Sequence, residues 1–369
     1  MRSSSGTYYV GLDHLRALAA LLVFVWHFIH TVPVVPWEYV PSFFPAAIID
    51  EGHTGVALFM CLSGYLFGKL LDGKQIKYGA FLWNRFIRLA PLLLLVLVIV
   101  GFLDHRDDLI GYSKSILKGV IFPADRPPLP NGSWSIVAEA YFYLVLPLIL
   151  LLLRRGVGYV ALIVVAAILL RTGIYLHRGE IQTISYYTII GRVDQFVLGI
   201  VAFSLRDYMK NRHLTMVALF TAFAVFYWCF DAAGGFYKPP TFPSPHPIWI
   251  VLPTIEGLFF CSLIAYYDGS FHFRDHGLSG LIAKIGTYSY SIYLTHFFYV
   301  SWMSDAFFSH FRMDNFYFAI AGGAACFLIA ATLAAFSYHV VEVPFLKLRR
   351  KYVITNVIRR ATVPVTSRE

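Results

Sequence analysis

Two ionisable residues within one apolar run are the first candidates for chemistry. Arg16 and His27 both lie in the stretch from about residue 12 to 31. In an α-helix their spacing is three turns plus about 20°, so both side chains lie on one face, about 16 Å apart along the axis. Asp13 and His30 extend that face at i−3 and i+3. A histidine can take a proton from an alcohol near neutral pH or carry an acyl group covalently.

Each candidate has a structural alternative. The Arg16 side chain could reach to the membrane surface, and the His27 ring could bond a backbone carbonyl. Ser63 is an alternative nucleophile, but it lacks the GxSxG context of hydrolases, and a small residue also serves close helix packing.

Glu139 is a candidate partner for His27. It lies about 10 Å in from the outer end of the run 132–153, at a depth close to that of His27. A buried carboxylate must be protonated or paired, and a histidine or arginine is the expected partner, although the pair could be purely structural. We therefore expect His27 to act as general base and Glu139 to orient it or balance its charge.

A pair of arginines is the candidate anion site. Arg85 and Arg88 lie one helical turn apart at the inner mouth of the third apolar run, so both guanidinium groups can face one phosphate-bearing ligand. Basic residues at an inner helix end can also be topology signals alone.

Composition shows which elements must position these residues. The chain of 369 residues is 58% hydrophobic and 14% charged, with mean hydropathy +0.64. Such a composition requires a lipid solvent. We expect an all-α, polytopic transmembrane helix bundle of about ten spans. The expected spans are 12–31, 52–69, 87–103, 132–153, 158–177, 188–205, 214–231, 248–267, 281–302 and 316–341.

The basic residues indicate orientation. The net charge of +9 comes from 30 Lys and Arg, which concentrate in the segments assigned to the inner side when the N-terminus is cytoplasmic. The positive-inside rule accounts for this asymmetry without any nucleic acid. Both termini are then cytoplasmic, and a bacterial inner membrane is the expected location. We divide the chain into a membrane domain, 1–348, and a basic tail, 349–369, that contacts anionic lipid.

The remaining features narrow the chemistry. Four cysteines are scattered singly, which favours neither a disulfide framework nor a metal site. The first span lacks a signal-peptide cleavage site and is expected to be retained. Three outer segments, 31–51, 104–131 and 238–247, either shape an acceptor cleft or serve as stiff connectors. The second of them contains an amphipathic stretch, Leu109–Ile121, predicted to lie on the bilayer surface.

Taken together, the chain resembles membrane acyltransferase family 3, the bacterial carbohydrate O-acetyltransferase type. The likeness covers about residues 11–348 and depends on seven segments in order. These are the opening helix with Arg16 and His27, Phe59–Leu66 with Ser63, Arg85–Arg88, Trp134–Tyr143 with Glu139, Gly191–Phe196, Ser289–His296 and Glu342–Pro344. His14 and Tyr65 depart from the residues common at their positions, which alters the cavity rather than the chemistry.

The resemblance implies a reaction and its participants. It implies acetyl transfer from a cytoplasmic acyl-CoA, acetyl-CoA, to a hydroxyl of a carbohydrate or glycolipid acceptor reached from the outer leaflet, with no metal. Essential roles would fall to Arg16, His27 and the arginine pair, with acetyl-CoA bound by Arg16, Arg85 and Arg88. Contacts with substrate or oxyanion would come from a further set of polar residues: Ser63, Tyr143, Arg192 and His296.

Two questions stay open at this point. A transporter or flippase of a sugar-linked or lipid-linked substrate would also bury Arg, His and Glu, although no inverted repeat is evident. Acyl transfer could be direct or pass through an acetyl-His27 intermediate. No hydrolase-type outer domain follows the last predicted span, so we expect the membrane body itself, or a separate outer-side partner protein, to complete the transfer.

Overall fold

The computed structural model describes residues 9–31, 39–71, 75–122, 127–237, 242–311 and 315–354. Within them the regular structure is helical, apart from a two-residue antiparallel pairing of Gln75–Ile76 with Val353–Ile354. The predicted all-α class is confirmed. Pro33, Pro36, the start of the segment 238–247 and the end of the basic tail lie outside the described residues.

The principal helices are labelled here in chain order. They are α1 (Val10–Thr31), α2 (Gly55–Leu71), α3 (Tyr78–Asp104), α4 (Leu109–Ile121), α5 (Trp134–Arg155), α6 (Val157–Arg178), α7 (Ile189–Ser204), α8 (His213–Ala232), α9 (Leu252–Ser270), α10 (Gly277–Thr287), α11 (Ser289–Thr295), α12 (Val300–His310) and α13 (Phe316–Ser337). Shorter helical segments at Ala47–Asp50, Gly52–Thr54, Gln182–Tyr187, His296–Phe298 and Tyr338–Leu346 connect them.

Membrane-spanning character is clear for part of the bundle. Six helices in the described part of the chain are long and apolar enough to cross a bilayer. They are Val10–Thr31, Tyr78–Asp104, Trp134–Leu153, Gly158–Arg178, His213–Ala232 and Phe316–Leu346. The ten-span count and the cytoplasmic termini stay predictions. The ninth predicted span, 281–302, is divided among α10, α11 and the first residues of α12.

Helix α6 shows why the protein needs lipid. Leu162, Leu169 and Leu170 are each at least half exposed on its outer face. A continuous apolar surface of this kind is stable against hydrocarbon rather than water. The chain is a membrane protein.

Helices α2 and α7 approach each other closely within the bundle. A Cβ added at Gly64 would lie 2.0 Å from the carbonyl oxygen of Phe196, and one at Gly199 would lie 2.3 Å from that of Cys61. Only glycine allows the two backbones to approach so closely, and such approach is a main source of helix association in lipid. The contact fixes the face of α2 that carries Ser63.

The amphipathic helix α4 has the bounds predicted from the sequence. Asp108 caps it, because its side chain accepts a hydrogen bond from the Gly111 N–H at 2.8 Å. Tyr112 donates its hydroxyl to the Leu97 carbonyl of α3, and Tyr141 of α5 donates to the Val120 carbonyl. Helix α4 therefore bridges α3 and α5 at one end of the bundle.

Candidate active site

A polar cavity lies within the bundle between α1, α2, α3, α5 and α11. The empty space within it is about 730 Å³, including the part that is open to solvent. Its polar lining includes six of the nine predicted site residues, from four helices: Arg16, Ser63, Arg85, Arg88, Glu139 and Tyr143. The other three, His27, Arg192 and His296, lie outside this lining.

The three arginines of the cavity have different surroundings. Arg16 donates to Asp13 at 2.8 Å and keeps 15% of its side chain exposed. Arg85 lies over the rings of Phe67 and Tyr143, with its guanidinium carbon 5.1 and 5.6 Å from their centroids. Arg88 lies one turn further along α3, in the same wall. As expected from their spacing, Arg85 and Arg88 face one space.

Glu139 is placed differently from the prediction. Its Oε1 accepts hydrogen bonds from Ser63 Oγ, at 2.9 Å, and from the hydroxyl of Tyr143. Among the described residues it makes no hydrogen bond with His27, so the expected pairing of these two side chains is wrong. The position of α5 along α3 explains this placement of Glu139. The hydroxyl of Tyr78, the first residue of α3, donates to the Tyr143 carbonyl of α5 at 2.8 Å. Glu139 thereby shares a cavity with the arginines.

His27 has a different partner, His296. The Nδ1 of His27 lies 2.8 Å from the Val23 carbonyl oxygen, and the Nδ1 of His296 lies 2.8 Å from that of Tyr293. Carbonyl oxygens only accept, so both Nδ1 atoms must carry hydrogen. The Nε2 of His296 is then an acceptor, and it lies 3.3 Å from His27 Nδ1. This arrangement leaves the His27 Nε2 lone pair as the basic atom of the pair.

The histidine pair adjoins the cavity but does not line it. Tyr293 and Phe59 line the cavity, with ring centroids 6.1 Å apart, and the Tyr293 ring is also 6.1 Å from that of His296. Tyr293 is fixed by donating to the Gly132 carbonyl at 3.1 Å. The sequence predicted one space that contains both Arg16 and His27, whereas the structure places two aromatic rings at the boundary between them.

Arg192 belongs to another network, away from the cavity. Its Nε donates to the Tyr186 carbonyl at 2.9 Å, and its Nη1 lies 3.4 Å from Glu256. The adjoining pair, Arg171 and Asp194, is 2.8 Å apart and fully buried. These buried charges pair with one another across α6, α7 and α9, and removal of one of them would leave an uncompensated charge in the core. This position does not favour the predicted oxyanion role.

Acidic residues that the sequence reasoning missed lie beyond the outer part of α1. His30 Nε2 is 3.6 Å from Asp50 Oδ1, and Glu51 accepts the Phe236 N–H at 3.0 Å. Burial raises the pKa of Glu51 to about 8, so it is largely protonated at neutral pH. The consecutive acids at the start of the second predicted span were the available signal. In the described part of the chain, no group of three or more His, Cys, Asp or Glu could hold a metal ion.

Comparison with known proteins decides the family. Residues 9–335 match a family model described as "Acyltransferase domain". The chain belongs to this acyltransferase family. The resemblance inferred from its seven segments is therefore confirmed, and the match covers α1 to α13 almost completely.

The curated relatives of this acyltransferase are distant. Proteins of Staphylococcus aureus strains COL, MSSA476 and N315, each named "Putative O-acetyltransferase", are 24% identical to it over 389 aligned positions. The alignment covers 92% of this chain and 58% of each relative, so the chain spans little more than half the length of these relatives. No solved structure matches the chain.

Proposed function

We propose that this acyltransferase moves an acetyl group from cytoplasmic acetyl-CoA to a hydroxyl of a carbohydrate or glycolipid acceptor at the bacterial inner membrane. The observation that carries the proposal is the convergence of Arg16, Arg85 and Arg88 on one cavity inside a bundle of the acyltransferase family. A cluster of guanidinium groups binds phosphates well, and CoA carries phosphates at its nucleotide end. The relatives named O-acetyltransferase support acetyl as the group transferred.

The donor would bind with its phosphates at the arginines and its thioester towards Tyr293. Arg85 and Arg88 would bind the phosphates, and Arg16, which lines the same cavity from α1, would line the path of the pantetheine arm. The carboxylate of Glu139 lies in this cavity, where it offsets part of the positive charge. Ser63 and Tyr143 would hold that carboxylate in place rather than attack the donor, because both donate to it.

The histidine pair would supply the base. The acceptor hydroxyl gives its proton to His27 Nε2 as its oxygen attacks the thioester carbonyl carbon, and the tetrahedral intermediate then expels the thiolate as the C–S bond breaks. The thiolate takes the proton from His27 and leaves as the CoA thiol, so no other reactant is consumed. His296 would fix the tautomer of His27, in the way that the third member of a catalytic triad fixes its histidine.

One assay tests the activity. Purified protein in lipid nanodiscs would be given acetyl-CoA, with and without an extract of the cell's own surface glycans or glycolipids, and release of the CoA thiol would be followed. We expect release that depends on the acceptor, together with an acetyl mass gained by the glycan. Transport of the glycan across a vesicle membrane without release of thiol would instead establish the transporter alternative.

A second assay separates the two mechanisms. In a single turnover with radiolabelled acetyl-CoA and no acceptor, direct transfer predicts that no label stays on the protein. Labelled protein that disappears in His27→Ala would establish the acetyl-His27 route.

A further inference from the structure

The segment after the last long helix packs back onto the start of α3. Residues 348–354, which we call the strap, pair through Val353–Ile354 with Gln75–Ile76, and the Tyr352 carbonyl accepts the Lys77 N–H at 2.8 Å. The side chain of Asn84 bonds the strap twice: its amide donates to the Arg350 carbonyl at 2.7 Å, and its oxygen accepts the Arg350 N–H at 2.8 Å. The strap is therefore an ordered part of the bundle, whereas the sequence assigned this segment to contacts with anionic lipid.

The strap touches the arginine cluster directly. Tyr352 is 2% exposed, and its ring lies against Phe81 with centroids 5.6 Å apart. Its hydroxyl accepts a hydrogen bond from Arg85 Nη2 at 3.3 Å. The Nε of Arg85 is buried and has no hydrogen-bond partner among the described residues. Tyr352 thus positions one edge of the guanidinium group, while another donor atom remains unused.

The strap also brings a third arginine to this end of α3. Arg349 is half-buried, and the backbone of its neighbour Arg350 is bonded to Asn84, the residue that precedes Arg85. In keeping with this position, burial and the positive charges of Arg88 and Arg85 lower the pKa of Arg349 to about 10. The carboxylates near the three arginines come from other elements: Glu139 on α5 acts on Arg85 and Arg88, and Glu342, in the helical segment after α13, acts on Arg88 and Arg349. Hydroxyl groups of Ser63, Tyr143 and Ser291 already donate to these two carboxylates. Positive charge therefore exceeds negative charge at this end of the cavity.

We propose that the strap completes the phosphate-binding site, with Arg349 contacting a phosphate group alongside Arg85 and Arg88 and with Tyr352 positioning Arg85. Three guanidinium groups that repel one another are stabilised together by a multiply charged anion, and their planar donors match phosphate oxygens. This inference rests on the proposed function, since the ligand is a nucleotide thioester such as acetyl-CoA. A phospholipid headgroup offers the same phosphate chemistry, so the experiment must separate the two sources.

Binding can be measured without knowledge of the acceptor. The full chain in nanodiscs of neutral phosphatidylcholine would be titrated calorimetrically with CoA and with pantetheine, which lacks the nucleotide and its phosphates. We expect the wild type to bind CoA much more tightly than pantetheine. Arg349→Ala should weaken CoA binding by about 10-fold or more, the usual effect of losing a charge-assisted hydrogen bond, and should leave pantetheine binding unchanged.

Arg350→Ala is the matched control. It removes the same charge from the neighbouring position, but the Arg350 side chain is exposed and lies over the Trp83 ring at 5.2 Å. Its bonds with Asn84 are made by the backbone and survive. We expect CoA affinity within about 2-fold of wild type, because exposed rim charges contribute little. Arg349→Lys, which keeps the charge but loses the planar fork, should give an intermediate affinity.

The outcomes distinguish three situations. If the wild type binds CoA no better than pantetheine, the proposed donor itself is wrong. If the wild type prefers CoA but Arg349→Ala and Arg349→Lys both match Arg350→Ala, the donor stands and the inference about the strap is overturned. If the Arg349 variants bind CoA as the wild type does, but bind short-chain phosphatidylglycerol added to the same nanodiscs more weakly than the wild type, the strap binds a lipid headgroup and the inference is overturned.

Discussion

The assignment of His27 as base and His296 as its positioning partner leads to a quantitative prediction. His27→Gln removes the basic Nε2, and loss of a general base costs roughly 10²-fold to 10⁴-fold in kcat. His296→Phe keeps a ring of similar volume beside Phe24 but removes the acceptor that lies 3.3 Å from His27 Nδ1. That distance is at the long end for a hydrogen bond, and the Val23 carbonyl still holds the same hydrogen. The loss should therefore be about 1 kcal/mol, or roughly 5-fold in kcat.

The assay is acceptor-dependent release of CoA thiol, measured as kcat and KM across pH. We expect His296→Phe to lower kcat about 5-fold, with little change in the KM for acetyl-CoA and with the pH dependence retained. His296→Gln should recover part of the loss, because its side-chain oxygen can accept from His27. His27→Gln should lose the pH-dependent limb together with its activity.

Two results would refute this reasoning. Equal losses of several hundred-fold in the His27 and His296 variants would mean that both rings take part in the chemistry. A pH-dependent limb that persists in His27→Gln would show that another group is the base. Thermal unfolding of each variant separates these results from a general loss of structure.

Three further predictions concern other parts of the bundle. Ser63→Ala should lower kcat/KM about 5-fold through loss of one bond to the carboxylate, whereas loss of more than about 10⁴-fold would indicate a nucleophile. Gly64→Ala places a Cβ 2.0 Å from a backbone oxygen of α7 and should lower the free energy of unfolding by about 3 kcal/mol. Gly173→Ala, where a Cβ meets nothing within 4 Å, should change the free energy of unfolding by less than about 1 kcal/mol. Equal thermal unfolding of the two variants would contradict the close contact. Since the raised pKa of Glu51, about 8, exceeds its ordinary value of 4.5, the wild type should lose stability as pH rises from 4.5 through 8. Glu51→Gln should reduce that loss, to which Asp50, with its pKa raised to about 9, also contributes; the same pH dependence of thermal unfolding in both proteins would exclude the Glu51 carboxyl as a source.

Local spacing explains what could be predicted. Arg85 and Arg88 face one cavity because they lie one turn apart on a single helix, whatever the rest of the chain does. The bounds of α4 followed from its amphipathic pattern. Local pattern has limits as well: Ser133 lies at the N-cap of α5, a position where serine is common, but its hydroxyl donates back to the Pro130 carbonyl instead of capping the helix.

Relations between helices could not be predicted in this way. The expected depth of Glu139 was counted from the end of its own helix, which says nothing about how far that helix is shifted along its neighbours. The bond from Tyr78 to the Tyr143 carbonyl shows that the shift places Glu139 level with Arg85. In the same way, His296 reaches His27 because the ninth predicted span is broken at Thr295, where a tighter turn begins. A continuous apolar run gives no sign of such a break.

The position of Glu139 beside the arginines, and not beside His27, reduces the net positive charge of the cavity. If it had paired with His27, the arginines would form an uncompensated cation cluster, and binding of a polyanionic donor would be difficult to reverse. With its carboxylate held beside them by Ser63 and Tyr143, part of the positive charge is offset before any ligand arrives. If CoA is the donor, as we propose, the enzyme must release it after each turnover and needs a site that binds phosphates without retaining them, since differential rather than maximal binding raises kcat. On this proposal the carboxylate in the cavity acts without contact with the reacting atoms.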